Sequence, residues 1–583
     1  MCEETPSGLN RRRFVQGMGL AASAAVPFAA QVIVSAQEPP QGSTPLHTDS
    51  SPRPLRSPTV KAQSTAISAG LPPVSIIALN RMAFGPRPGD LAAFNALGST
   101  DEERLYAYID QQLAPESISD IELDARMADA EFTTLAKTRA ELWDEHIVNY
   151  GGDYAVRTLP AREVERAAFV RAMYSKRQLV EVLADFWHNH FNTYAWEYPL
   201  YAMFAHYDRD VIRGNMLGNF RQMLQDVAES TCMLYYLDNY TNSRAGPNEN
   251  WARELLELHA MGAENYVGVK RQSDVPLDGQ GRPGGYVDDD VYEATRCFTG
   301  WTVANSDSGP GGNTGLLLYR DDWHDRFQKT VLGQFIPADQ EPFKDGLDVL
   351  DVLAAHPGTG RHICRKLCQR LISDDPPESV VQSAAALFTA QKDAADQLKQ
   401  VVRHILRSPE FRSTWGQKVK RPFEAVVSAL RAADADFTIK LDDDDSNSFM
   451  SYYGYIGQPL FRWPAPDGYP DFKEAWQSTT PVVMRWRIFG WLIDVKDDAE
   501  KFRLEILDQA PASVRSPNAL ADFWLDRILG QGIDAGTRQQ IVEFMAQGRN
   551  PDYDLALDTD GNVQDRLRAM VALIMMSPDF QWR

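Results

Sequence analysis

Cysteine is scarce in this sequence: five residues in a chain of 583, with no CxxC pair and no CxxCH. That removes the main support for a zinc ribbon, a thioredoxin-like redox site or a c-type haem. Cys364 and Cys368 stand four apart on an apolar helical stripe. Side chains so spaced lie about 5–6 Å apart at the β-carbon, too far for a disulfide, so they read as small core residues. Positive charge is also in deficit. A formal net charge of -21 and a pI of about 5.0 exclude the long-range field that gathers nucleic acid or anionic lipid, and no nucleic-acid partner is expected. A nucleophile elbow GxSxG, an HExxH zinc helix, a P-loop and a dinucleotide fingerprint are all missing. Beyond the N-terminal segment no apolar run is long enough to span a bilayer.

The N-terminal segment has a clear reading. Arg11-Arg12-Arg13-Phe14-Val15 precedes an alanine-rich apolar stretch from Met18 to Val34, and Val34-Ser35-Ala36 is a small-residue cleavage pattern. Residues 1–36 therefore read as a twin-arginine signal, which implies export of a folded chain to the periplasm or beyond, with no stable membrane span after cleavage; the alternatives are an ordinary secretory signal or a retained membrane anchor. Residues 37–73 are rich in Pro, Ser and Thr and read as a disordered linker. The folded body is expected over residues 74–583.

Helical periodicity dominates that body. Phe220, Met223, Leu224, Val227 and Leu234 step by three and four, as do Trp251, Leu255 and Leu258. Pro88-Gly89-Asp90, Pro357-Gly358-Thr359 and Pro422 mark helix starts. Alternating β-branched runs are scarce, so the expected fold is all-α: a large multi-helix body with long irregular loops. The loops at 270–290 and 304–333 each have room for a short β-hairpin. Two acidic stretches resemble calcium loops superficially. Asp442 to Asp445 reads as a solvated run, and "DTDGN" at 558–562 fails as an EF-hand because Ala556 and Leu567 occupy its end positions.

Histidine is sparse, ten residues in all, yet two of them fall within three positions in "DFWHNHFNTY". On a helix from 178 to 191, Glu181, Asp185 and His188 share one face, while Leu179, Leu183, Phe186 and His190 share the other. One histidine then faces a polar neighbourhood and the other the core. A carboxylate–imidazole row of this kind serves metal binding or a carboxylate-oriented catalytic histidine; the bland alternative is a satisfied core histidine beside a surface ion pair. In "PNENWARELLELHAMG", Asn250 is placed to cap a helix that ends at Gly262. Arg253 is spaced to pair with Glu257, and Glu254 lies one turn from Glu257, so that the two carboxylates share a proton, bind a metal, or are simply solvated. In "DVYEATRCFTGW" with "DDWHDRFQKTVLG", Asp290, Glu293 and Arg296 form a charged row. Asp321-x-x-His324 repeats the acid-to-histidine spacing of Asp185-x-x-His188, and the rival account is an ion-pair network tying loop to helix.

These segments, with "LNRMAFGPRPGD", "ADFWHNHF", "LGNFRQMLQDVAESTCMLYYLDN", "KLCQRLI", "KVKRPFEAVV" and "GQPLFRWPAPDGYPD", occur in an order that resembles the bacterial family known as domain of unknown function 1800. The likeness runs from about residue 74 to the closing "MSPDF". It implies an exported, predominantly helical protein. It also implies partnership with a neighbouring exported protein resembling phosphatases and sulfatases. The family has no settled catalytic residues to transfer, and His259 stands where an apolar or aromatic residue is expected.

The resulting expectation is an exported helical protein with a His/carboxylate site, acting as a metal-dependent hydrolase or oxidoreductase. Catalytic roles are expected of His188, Glu254, His324 and Asp325. A divalent metal is expected on His188, His190, Glu254 and Glu257, where it would activate water or oxygen. The competing expectation is a non-catalytic export or assembly partner whose buried polar motifs fix helix packing.

Overall fold

Residues 70–494 and 504–583 are described by the computed structural model of the chain. The expected signal peptide, and the linker up to residue 69, lie outside the described residues. The first helix is Val74–Arg81, where the folded body was expected to begin. Twenty-four α-helices follow one another among the described residues, and strands occur only as three two-stranded pairs, so the protein is predominantly helical. The expected hairpin in the 304–333 region forms, Trp301–Asn305 pairing antiparallel with Asn313–Tyr319, and a second, Lys329–Val331 with Gln334–Ile336, closes the end of that region. In the 270–290 region the pairing is parallel instead, Tyr266–Gly268 against Tyr286–Val287. No described helix is long and apolar enough to cross a membrane.

One hydrophobic core runs through the described residues from Val74 to Phe580, and Cys364 and Cys368 are buried in it as free thiols. The helix Gln178–His190 crosses this core. Its apolar face, Leu179, Val182, Leu183 and Phe186, is buried, and Gln178 fixes its start by donating to the Ala172 and Ser175 carbonyls. The helix stops at Phe191, whose carbonyl accepts from the Tyr207 hydroxyl at 2.7 Å.

Two local features depart from simple helical periodicity. The stretch from Phe220 to Tyr236 is two helices, because Ser230 turns extended and its hydroxyl caps a new start through Met233 N–H. The helix Asn250–Glu254 passes into a π-turn, Leu255–His259. The extra residue per turn rotates the inward face, so Leu255, Leu256 and His259 are buried while Leu258 is only half-buried. A second π-turn, Tyr207–Arg213, supplies two charged residues discussed below.

Candidate functional site

The loop at 461–471 holds the end of the "WHNHF" helix through hydrogen bonds from its two asparagines. Asn189 Nδ2 donates to the Tyr469 carbonyl at 2.7 Å, and Tyr469 N–H donates back to Asn189 Oδ1 at 2.7 Å. Asn192 Nδ2 donates to the carbonyls of Trp463 and Ala465 at 3.0 and 2.7 Å. Between these contacts Gly468 has φ +73°, and a Cβ there would lie 2.1 Å from the Asn189 carbonyl oxygen. Gly468→Ala is expected to cost about 2–4 kcal/mol, combining left-handed strain with the displaced loop. Chemical denaturation checks it; a loss under 1 kcal/mol would contradict this packing.

His188 and His190 part company, as the spacing predicts. His188 Nε2 donates to Asp208 Oδ1 at 2.9 Å. Arg213 Nε donates to the same oxygen at 2.9 Å, Arg171 reaches Oδ2 at 3.2 Å, and Arg213 also grips Glu181 with two bonds of 3.0 and 2.8 Å. Glu181 and His188 thus belong to one row, but Asp185 leaves it to pair with Arg370 and Arg421. Burial alone would raise the Asp208 carboxyl; Arg213, the His188 bond and Arg171 outweigh it and hold it well below the usual carboxylate range. The adjoining cavity is about 30 Å³, room for a water and little more. This is a closed ion cluster in which two guanidinium groups already compensate the carboxylates.

His190 is buried among Phe186, Trp187 and Phe191, and its ring lies 6.2 Å from those of His259 and His362. Its Nε2 faces the His259 carbonyl at 3.2 Å, which assigns the proton there and leaves the Nδ1 lone pair without a partner. His259 is fully buried with neither ring nitrogen satisfied. Burial, reinforced by Lys366 and His362, pushes His259 down to about 3 and His190 well below its ordinary value, so both rings are neutral near pH 7. His362 faces Glu264 Oε1 at 2.9 Å and the Leu258 carbonyl at 3.2 Å. Gly262, at φ +87°, leaves the space this pair needs: a Cβ would lie 2.3 Å from His362 Nδ1. One turn along the helix Pro357–Leu371, burial pushes the Lys366 ammonium down to about 8, against the pull of Asp471, Asp467 and Glu264.

Asp467 also acts on Glu254, from the opposite direction. Burial, then Glu257, then Asp467 push the Glu254 carboxyl up to about 7, and Arg253 opposes them only in part. Arg253 pairs with Glu249 at 3.1 Å and Asp288 at 3.5 Å, and not with Glu257 as its spacing suggested. The π-turn carries Glu257 on the solvent side of the segment while His259 goes inward. Glu254 is therefore a carboxyl that gains and loses its proton near neutrality beside two further carboxylates.

Residues 77–582 match the model of a family described as a protein of unknown function, DUF1800. The chain belongs to that family. Every segment quoted above for the resemblance lies inside the match. No curated protein and no solved structure matches the chain.

In this DUF1800 member, His324 and Asp325 sit in a third place. His324 Nδ1 donates to the Thr299 carbonyl at 2.8 Å, and its Nε2 lies 3.2 Å from Asp345 Oδ2, which also accepts from the buried Lys329 at 2.5 Å. Asp325 takes two bonds from Arg296, at 2.8 and 3.1 Å, and Arg296 binds Glu293 at 2.7 Å. That is the loop-to-helix ion network named as the rival account. No hydrogen bond or ion pair among the described residues links His324 or Asp325 to His188, His190, Glu254 or Glu257, so the expected single site is three neighbourhoods. Among the described residues, no three His, Cys, Asp or Glu side chains are grouped closely enough to hold a metal ion. Sequence reasoning missed Asp208, Arg213, His362, Lys366 and Asp467. Only His362 and Lys366, four apart on one helix face, left a local signal.

Proposed function

We propose that this chain is an exported enzyme that performs acid–base chemistry, hydrolytic in class, at the carboxylates Glu254, Glu257 and Asp467. The observation that carries the reading is the Glu254 carboxyl at about 7, because an acid–base group works best when its proton affinity matches the working pH. Neither His188 nor His324 is assigned a catalytic role in this reading, since each is held in a closed ion network. Export rests on the arginine triplet and apolar segment of residues 11–34. The test is a panel of ester, amide, phosphate-ester and glycoside substrates offered to the mature protein and to Glu254→Gln. Turnover by the wild type that the variant lacks supports the reading; no turnover, or equal turnover, overturns it.

A metal-dependent version has one observation in its favour. Metal-ligating histidines donate their second ring N–H to a backbone carbonyl or carboxylate, and His190 does this, leaving its Nδ1 without a partner while its ring lies 6.2 Å from that of His259. The ligand pair would then be His190 and His259 rather than His188 and His190, and a cation there would supply Lewis-acid activation of water or oxygen. Lys366 opposes a cation at this point. Elemental analysis of protein purified from its own compartment decides the matter. This version expects near-stoichiometric metal in the wild type and at least about tenfold less in His190→Ala; metal retained by that variant would overturn it.

A further inference from the structure

A cavity of about 410 Å³ opens between residues 79–90, the helix Asp101–Gln112 and the end of the helix Tyr154–Tyr174. It shares no residue with the Glu254 site, and its volume suits a small organic ligand. Most of its polar wall is already occupied. Arg431 donates to the Gly85 and Met173 carbonyls at 2.7 and 2.8 Å and to Asp90 Oδ2 at 2.9 Å, an oxygen that also accepts from the Arg87 backbone N–H at 2.8 Å. The Arg87 side chain in turn grips Glu122 with two bonds of 3.0 and 3.2 Å. Gln112 and Gln178 each accept from one backbone N–H and donate to backbone carbonyls. Tyr108 breaks the pattern. It is only 8% exposed, yet its hydroxyl has no hydrogen-bond partner among the described residues and opens onto the cavity. Enclosed tyrosine hydroxyls ordinarily find a partner. Burial, then Asp90, raise its proton affinity against the pull of Arg431, so the hydroxyl keeps its proton and is a donor.

We infer that this cavity binds a small uncharged, mainly apolar molecule carrying a hydrogen-bond-accepting oxygen, as in a ketone or ester, for the Tyr108 hydroxyl. Leu79, Phe94, Leu97 and Ile118 supply the apolar wall against which the body of such a ligand would lie. The charges choose between ligand classes. Arg431 with Asp90, and Arg87 with Glu122, are closed pairs, so an ionic ligand would lose its water without gaining a free counter-charge. Lys176 also lines the cavity, but from an exposed position where its ammonium stays hydrated and screened. A neutral ligand meets none of these costs and satisfies the one enclosed donor left open.

The inference stands apart from the acid–base reading of Glu254 and is tested with probes that share a phenyl ring and differ in head group. Toluene, acetophenone, benzoate and benzylamine are titrated against the mature protein by ligand-observed NMR. Acetophenone is expected to bind about 3- to 10-fold more tightly than toluene, the yield of one neutral hydrogen bond. It is expected to bind at least about tenfold more tightly than either charged probe. Tyr108→Phe keeps the ring and the cavity, so acetophenone should lose its advantage there while toluene binds as before. Ala93→Trp, at an exposed position on the lining, should obstruct the cavity and abolish binding of both. Four results would each overturn the inference: no probe bound, a charged probe bound as tightly as acetophenone, a ketone preference that survives Tyr108→Phe, or binding unchanged in Ala93→Trp. The ranking of probes is read on the wild type, so the ligand class is tested even where a variant fails to fold.

Discussion

Replacing Asp208 by alanine is expected to destabilise the folded protein by about 3–5 kcal/mol, because breaking a buried charge network strands its remaining members. Arg171 and Arg213 would lose their shared acceptor, and His188 its one hydrogen-bonding partner among the described residues, in a place where the adjoining cavity of about 30 Å³ admits a water but no counter-ion shell. Asp208→Asn keeps shape and one acceptor oxygen, so about half the loss is expected of it. Urea unfolding of the three proteins measures this, and a loss below 1 kcal/mol for the alanine variant would remove His188 from the packing account. The sign of the pH dependence follows from the depressed carboxyl. Its contribution is full above the unfolded carboxylate range and is lost as pH falls toward the folded value. Asp208→Asn should therefore differ from the wild type most at neutral pH and progressively less in acid.

Glu254→Gln carries the second large effect. The amide preserves volume and can neither accept nor release a proton near neutrality, so a reaction that needs this carboxyl should slow by about 10²–10⁴-fold in kcat/KM. The limb of the pH–rate profile near 7 should vanish with it. A variant as active as the wild type at every pH would show that Glu254 is a bystander. Stability gives an independent sign. A carboxyl raised to about 7 favours the folded state at low pH, and that favour is lost as pH rises through the folded value. The variant should be more stable than the wild type at pH 8, by about 1–2 kcal/mol after allowance for partial exposure, and the difference should close below the ordinary glutamate range.

Local features of this fold were legible from sequence. Pro422 opens the helix Pro422–Ala432, Pro357 opens Pro357–Leu371, and the glycine-rich segment after Trp301 folds into a hairpin, because caps, turns and period are written in adjacent residues. The separation of His188 from His190 follows from 3.6 residues per turn. What failed was everything that depends on distant partners. Arg253 chose Glu249 and Asp288, and Asp185 chose Arg370 and Arg421, since ion pairing follows three-dimensional proximity and sequence spacing supplies only one of the options. The π-turn at Leu255–His259 is invisible to a 3.6-residue template, which sent Leu258 inward and left His259 unexplained. The loop at 461–471 binds Asn189 and Asn192 through backbone groups, which leave no side-chain code. The polar site therefore draws on segments near residues 190, 254–264, 362–366 and 467, a grouping that no single motif announces.

The central claim is that Glu254 exchanges a proton near neutrality within the folded protein. A pH-difference infrared spectrum of the wild type against Glu254→Gln tests it most directly. A protonated-carboxyl band that titrates with a midpoint near 7 and is missing from the variant is the predicted result. Identical spectra for the two proteins between pH 5.5 and pH 8 (about one to one and a half units either side of the predicted midpoint) would contradict the claim and return Glu254 to an ordinary solvated glutamate.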